Sequence, residues 1–197
     1  MRRLALILLL LALAGALNAF VRRPIVQEPG VLVPDAPLQG DPVSRATTRI
    51  GDFELTPLAD FSLDARVLSR ADYRLGTESE LSPTDLALGW GRMSDSAVIA
   101  QLDISQSARF YSYRWSEEPP IPPREITVSS ANMHLIPADP GVAAAIARVR
   151  VGELIALRGH LVEVHRADGW RWRSSLRRDD SGAGACELVL VDSIGPR

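Results

Sequence analysis

A histidine with a polar neighbour offers the clearest chemistry in this sequence. Asn132 and His134 stand two residues apart, so both side chains point to the same face if the segment is a strand. A histidine oriented by an amide can act as a general base toward a nucleophile, and Ser130 and Cys186 are the available nucleophiles. These four residues are the candidate catalytic group of a small hydrolase. The alternative is that His134 is a structural histidine, satisfied by hydrogen bonds within the fold.

Arginines interleaved with aromatic residues form a second candidate group. Arg109, Tyr111 and Tyr113 alternate along one segment, and Trp170 and Trp172 alternate with arginines along another. Aromatic faces with nearby guanidinium groups bind planar or sugar ligands. The pattern predicts a ligand-binding surface at these positions, although a tryptophan pair on a strand is also typical of core packing.

The sequence predicts no metal site, no cofactor and no disulfide. His160 and His165 lie on a different segment from His134, and no group of His, Cys, Asp and Glu has metal-ligand spacing. Cys186 is the single cysteine, so no disulfide can form within the chain. Four of the 22 arginines lie in residues 1–23, which contain no acid, so 18 basic and 24 acidic residues remain beyond them. That balance disfavours nucleic acid as a partner.

Strands are predicted to position most of these candidates. Apolar residues alternate with the period of a half-buried strand in three segments, which are 53–67, 98–104 and 109–115. A helix beginning at Ser96 is the alternative for the second of them. Further strands are predicted over 125–128, 149–164 and 187–191. Gly159 predicts a bulge or bend, and Ala167-Asp168-Gly169 predicts a hairpin turn.

Two short helices complete the predicted elements. Ser82-Pro83-Thr84-Asp85 has the cap, first-turn proline and acid of a helix start, and Gly89-Trp90-Gly91 ends that helix quickly. Asp139-Pro140 begins the second helix in the same way. Because strands outnumber helices, we expect a β-rich α+β domain with an antiparallel sheet. The glycine-kinked strand followed by a hairpin is typical of a small OB-like barrel.

The first 23 residues predict export. Met1-Arg2-Arg3 precedes residues 4–21, which carry no charge and would span roughly 27 Å as a helix, close to the roughly 30 Å of a bilayer core. Ala14-Gly15-Ala16 fits a cleavage site, whereas Arg22-Arg23 fits the flank of a retained anchor. We therefore expect an inner-membrane protein anchored through residues 4–21 with its domain in the periplasm, or a cleaved periplasmic protein.

The chain thus divides into three parts. Residues 1–23 form the signal-anchor or signal peptide, and residues 24–49, with five prolines, predict an extended tether. Residues 50–197 predict a single β-rich globular domain of ordinary composition, with 46% hydrophobic and 23% charged residues in the whole chain.

Several local motifs of the domain resemble those of a family of uncharacterised exported bacterial proteins. The motifs are Leu88-Gly89-Trp90-Gly91, Gln106-Ser107 with Arg109-Phe110-Tyr111, Asn132-Met133-His134, Trp170 to Ser175, and Asp180 to Glu187. The resemblance implies export and implies no mechanism. We therefore expect a binding module of the cell envelope that meets another envelope component through its aromatic and arginine residues. A small envelope hydrolase using His134 with Ser130 or Cys186 is the alternative.

Overall fold

The computed structural model describes residues 23–182 and 184–197, together with the isolated positions Leu9 and Gly15. Apart from those two positions, the predicted membrane or signal helix of residues 4–21 lies outside the described residues. Within the described part, no helix combines the length and the apolar character needed to cross a bilayer.

The described residues form a β-rich α+β domain. The strands are β1 (Leu38–Gly40), β2 (Thr48–Ile50), β3 (Phe53–Asp72), β4 (Thr84–Gly89), β5 (Asp103–Ser107), β6 (Phe110–Arg114), β7 (Ser130–Pro137), β8 (Leu154–Arg166), β9 (Arg171–Arg173) and β10 (Glu187–Pro196). The α-helices are α1 (Thr77–Leu81), α2 (Ser96–Ile99), α3 (Pro123–Val128) and α4 (Pro140–Arg148), and Gly91–Ser94 is a 3-10 helix.

Five strands pair in a ring. β3 pairs with β4, β4 with β7, β7 with β10, β10 with β8, and β8 pairs again with β3. All of these pairings are antiparallel except that of β7 with β10, which is parallel. The connection between β7 and β8 contains α4, and β5 and β6 form a separate hairpin between β4 and β7. The sheet is therefore mixed but mostly antiparallel.

The main hydrophobic cluster draws on every ring strand. It contains Leu63 of β3, Leu88 of β4, Leu135 of β7, Leu157 of β8 and Val191 of β10, each at most 5% exposed. The predicted alternation holds along β3, where buried and partly exposed residues alternate over most of its length. That alternation places one face of the strand in the core and leaves the other free to carry surface elements.

The predicted helix beginning at Ser82 is wrong, because Thr84–Gly89 is strand β4. Pro83 immediately precedes the strand, a position where its missing N–H costs no ladder hydrogen bond. All six residues of β4 are buried between β3 and β7. Pairing on both sides has overridden the local helix-start pattern.

Two other local predictions need correction. Residues 125–128 belong to α3 and not to a strand, because Pro123 occupies its first turn together with Glu125. The strand predicted over residues 98–104 begins only at Asp103, and the alternative helix from Ser96 is present as α2. Asp95 caps α2 by accepting the Ala97 N–H at 2.8 Å. The second predicted helix is confirmed as α4, which Asp139 caps through the Val142 N–H at 2.9 Å.

Residues 24–49 pack along the domain, in place of the extended tether that their prolines predict. Val33 is fully buried, and its N–H donates to Ser94 Oγ at 3.0 Å. The Ile25 N–H donates to Val151 O at 2.8 Å, and β1 pairs with β3. The folded part of the chain therefore begins at about Ile25, well before the predicted boundary at residue 50.

Candidate functional site

The tip of the β5–β6 hairpin is backbone-strained. Its two-residue turn consists of Ala108 and Arg109, with φ angles of +48° and +65°. Such a turn normally carries Asn or Gly, because a Cβ in this region costs roughly 1–2 kcal/mol per residue. Strain of this kind persists only where other contacts hold the residue in place.

Arg109 is held by hydrogen bonds of both its backbone and its side chain. Its N–H donates to the Tyr73 hydroxyl at 3.0 Å, and its carbonyl accepts from Asn132 Nδ2 at 2.9 Å. Nη1 donates to Asp85 Oδ1 at 2.8 Å, and Nη2 donates to Ser82 O at 3.0 Å. The hairpin is thereby fastened to β4, to β7 and to the segment before β4.

A buried carboxylate lies at the centre of these contacts. The Asp85 side chain is fully buried, and His134 Nδ1 lies 2.9 Å from its Oδ1, although the two groups are not aligned as a hydrogen bond. Asp85 Oδ2 and His134 Nδ1 have no hydrogen-bond partner among the described residues. A buried charge is tolerated only when it is paired, and Arg109 supplies the pairing charge here.

Two aromatic rings enclose the Arg109 guanidinium. Its Cζ lies 4.2 Å from the centroid of Tyr73 and 5.3 Å from the centroid of Trp172, and the Trp172 ring lies 4.8 Å from that of His134. These four residues line an open cleft of about 510 Å³, which we call the Arg109 cleft, and Phe110 lies at its rim. The cleft therefore combines aromatic surface with a charged floor.

The predicted binding residues do not form one surface. Arg109 and Trp172 meet in the cleft. The Trp170 ring lies edge-on to Trp172 at 6.0 Å and to Phe53 at 5.6 Å, but it does not line the cleft. Tyr111 and Tyr113 belong to β6. The Tyr111 hydroxyl lies 3.3 Å from Ser130 Oγ, and the Tyr113 hydroxyl lies 3.0 Å from Thr127 Oγ1. Burial raises the pKa of Tyr111 to about 12. These three aromatic residues support the elements that shape the cleft.

Asn132 does not orient the His134 ring through any described hydrogen bond. Its Oδ1 accepts from Gln106 Nε2 at 2.7 Å, and its Nδ2 donates to Arg109 O. Asn132 therefore orients the hairpin. Cys186 lies beside it, with Sγ 3.7 Å from Asn132 Nδ2 and 3.8 Å from Arg109 O.

Neither candidate nucleophile has an activated geometry. Burial raises the pKa of the Cys186 thiol to about 11, so the reactive thiolate is disfavoured at neutral pH. Ser130 Oγ donates to Ile126 O at 2.7 Å, and Ser130 lies four positions before His134 along β7, a distance of about 13 Å. The described contacts thus give His134 a carboxylate neighbour and no nucleophile.

The other two histidines lie beside surface carboxylates. His160 lies between Asp60 and Asp192, with Nδ1–Oδ1 and Nε2–Oδ2 distances of 2.9 and 3.1 Å, and His165 lies 3.5 Å from Glu163. Across the residues that the structure describes, no three His, Cys, Asp or Glu side chains are grouped to hold a metal ion.

Sequence reasoning missed Tyr73 and Asp85, which complete the Arg109 cluster. Asp85 has the features of a first-turn helix acid, and Tyr73 carries no pattern that singles it out. The positive φ angles at Ala108 and Arg109 could not be predicted from residue type either, since neither residue is glycine or asparagine. The interleaving of Arg109 with tyrosines was the one available signal.

A second buried acid, Glu187, was also missed. Its side chain is 2% exposed and pairs with Arg178 Nη1, while its Oε2 has no hydrogen-bond partner among the described residues. Burial raises the pKa of Glu187 from its ordinary 4.5 to about 7, and the charge of Arg178 opposes that shift only in part. Glu187 therefore takes up a proton near neutral pH.

Glu187 is expected to make the stability of the domain depend on pH. The folded state holds its proton up to about pH 7, whereas the unfolded state releases it near 4.5, so the free energy of unfolding falls as pH rises through this window. The fall attributable to Glu187 is about 1.4 kcal/mol per pH unit, or about 3 kcal/mol in all. Urea unfolding from pH 4 to 8 should show this slope in the wild type and not in Glu187→Gln.

The exposed Glu54 provides the control for that experiment, since its side chain is 51% exposed. Glu54→Gln should retain the wild-type slope. Parallel stability curves for the wild type and Glu187→Gln between pH 4 and 8 would contradict the assignment of the slope to Glu187.

Comparison with known proteins gives no relative for this domain. No protein-family model matches the chain, and neither a curated protein nor a solved structure matches it. The resemblance to exported bacterial proteins thus stays a prediction, and any function must be argued from the geometry above. The single cysteine excludes a disulfide within the chain.

Proposed function

We propose that this protein is a binding module of the bacterial cell envelope, anchored in the inner membrane through residues 4–21 with its domain in the periplasm. The proposal is supported by the uncharged run behind Arg2-Arg3 and by the Arg22-Arg23 pair that follows it. The Arg109 cleft is its binding site. The observation that carries the proposal is the convergence of Tyr73, Arg109, His134 and Trp172 at one open cleft.

We also propose that the ring of strands is an OB-type barrel, as the kinked strand and hairpin of the sequence predict. Its five strands in chain order are β3, β4, β7, β8 and β10. Barrels of this type bind ligands on the face of their second and third strands, beside the loops that follow the first and fourth strands. Here the second and third strands carry Asp85 and His134, Tyr73 lies in the connection after the first strand, and Trp172 lies in β9 within the connection after the fourth strand. The position of the Arg109 cleft agrees with a ligand site of this class.

The chemistry of the cleft favours a ligand that combines an apolar surface with hydrogen-bonding groups. Leu75 and Phe110 lie at the rim and are 91% and 49% exposed, so they offer apolar surface to a ligand. The His134 ring makes no hydrogen bond to any described residue, so it can pair with a ligand group once one enters. Strain at Ala108 and Arg109 is consistent with a turn held in shape for binding.

Photo-crosslinking in living cells tests the binding site. A photoreactive phenylalanine analogue placed at Leu75 or at Phe110 should yield a discrete adduct with an envelope component. Leu38 and Val43 provide matched controls, because they are 73% and 94% exposed and do not line the cleft. Trp172→Ala should weaken the adduct at Leu75. Absence of adducts at both cleft positions, or equal adducts at all four positions, would contradict the proposal.

A further inference from the structure

The chain leaves little length between the proposed anchor and the folded domain. The uncharged run ends at Val21, and Ile25 is already fixed to the domain by its hydrogen bond to Val151 O. Four residues reach at most about 14 Å when fully extended. The Val151 surface must therefore lie within about that distance of the end of the membrane segment, if residues 4–21 form the anchor.

The contact at Ile25 is closely packed and specific. Gly152 has a φ angle of +82°, and a Cβ at this position would overlap the Ile25 carbonyl oxygen. Gln27 adds a side-chain hydrogen bond from Nε2 to Gly152 O at 3.0 Å. Only glycine allows the segment to approach β8 in this way, so the start of the folded chain has one defined position on the domain.

The surface around this contact carries two arginines whose side chains have no acidic partner. Arg148 ends α4 and Arg150 follows it, and neither side chain forms an ion pair or a hydrogen bond with the described residues, while the Glu153 carboxylate accepts the Arg150 N–H at 2.9 Å. Arg166, Arg171, Arg173 and Arg177 are paired with acids. Val26 adds an apolar side chain that is 90% exposed.

We infer that the domain docks on the bilayer, with Arg148, Arg150 and Val26 facing anionic lipid headgroups; this rests on the proposed anchor. Arginines near an anionic bilayer surface are each worth about 1 kcal/mol, or about a fivefold preference for the docked state. Beyond residue 23 the chain has a net charge of −6 with these two arginines included, so an anionic bilayer repels the acidic faces of the domain. The two effects together select a single orientation.

The test uses the full chain reconstituted in vesicles of phosphatidylcholine with about 30% phosphatidylglycerol. In a Cys186→Ser background, single cysteines at Val26, Leu38 and Leu75 carry an environment-sensitive fluorophore, and spin-labelled lipids quench it. We expect strong quenching at Val26 and little at Leu75. Quenching at Val26 should fall in pure phosphatidylcholine and when NaCl rises from about 0.05 M to about 0.5 M.

Arg148→Gln and Arg150→Gln should each lower the ratio of docked to undocked domain by about fivefold. Arg171→Gln and Arg173→Gln, at exposed positions on β9, are the matched controls and should leave it unchanged. Equal quenching at Val26 and Leu75, or quenching at Val26 independent of lipid charge and salt, would overturn the docking. A chain that does not float with the vesicles would overturn the anchor and the docking together.

Discussion

Replacing Arg109 with methionine is expected to lower the free energy of unfolding by about 3–5 kcal/mol. The substitution removes the charge that compensates Asp85, whose side chain is fully buried, and it removes two hydrogen bonds that fasten the hairpin. Methionine keeps the length of the side chain and leaves the backbone strain unchanged. Urea unfolding at neutral pH measures the effect.

Two variants separate the buried pair from a general effect of losing an arginine. Arg171→Met removes an exposed partner of Glu163 and should cost less than about 1 kcal/mol. The double variant Asp85→Asn/Arg109→Met removes both charges and should recover more than half of the loss. A double variant no more stable than Arg109→Met would show that hairpin packing, and not the buried charge, sets the cost.

Gly159→Ala is expected to destabilise the domain by about 4 kcal/mol or more, at the upper end for a single substitution. Gly159 pairs with Phe61 of β3 and with Val191 of β10, and a Cβ there would overlap the carbonyl oxygen of Leu190. Relief requires one ring strand to move away from another, which breaks ladder hydrogen bonds on both sides. Thermal unfolding monitored by circular dichroism measures the loss.

Gly195→Ala provides the control within the same pair of strands. Gly195 lies in β10 opposite Ala156, and a Cβ there meets no atom within 4 Å. This variant should unfold at the wild-type temperature or slightly above it, because alanine reduces the entropy of the unfolded chain. If both glycine variants behaved alike, close approach at Gly159 would not be the cause.

The predictions that succeeded rest on local signals. Alternation identified β3 and β6, the strand predicted over 187–191 is the start of β10, Asp139-Pro140 identified the start of α4, and Ala167-Asp168-Gly169 identified the turn before β9. Gly159 predicted an irregularity, and β10 shifts register opposite it, between Val191 and Ser193. In each case neighbouring residues determine the local structure, so that structure could be predicted from the sequence.

The failures at β4 and at residues 24–49 depend on contacts between distant segments. Ser82 to Asp85 has a helix-start pattern, but burial between β3 and β7 makes it a strand. The prolines of residues 24–49 suit an extended chain, yet Ser94 and Val151 bind that chain to the domain. Asp85 could not be assigned to the site for the same reason, since its partners come from other strands. Arg109, His134, Trp172 and Cys186 line the cleft and were candidates from the sequence alone.

The position of β10 in the ring has a consequence for the biogenesis of the protein. β10 follows every other described strand in the sequence, yet it lies between β7 and β8. The ring cannot close until residues 187–196 are available, so a chain exported as proposed crosses the membrane with its core unassembled. Pairing of distant segments is slow, and the delivered chain exposes apolar strands meanwhile. We therefore expect its maturation to depend on periplasmic chaperones.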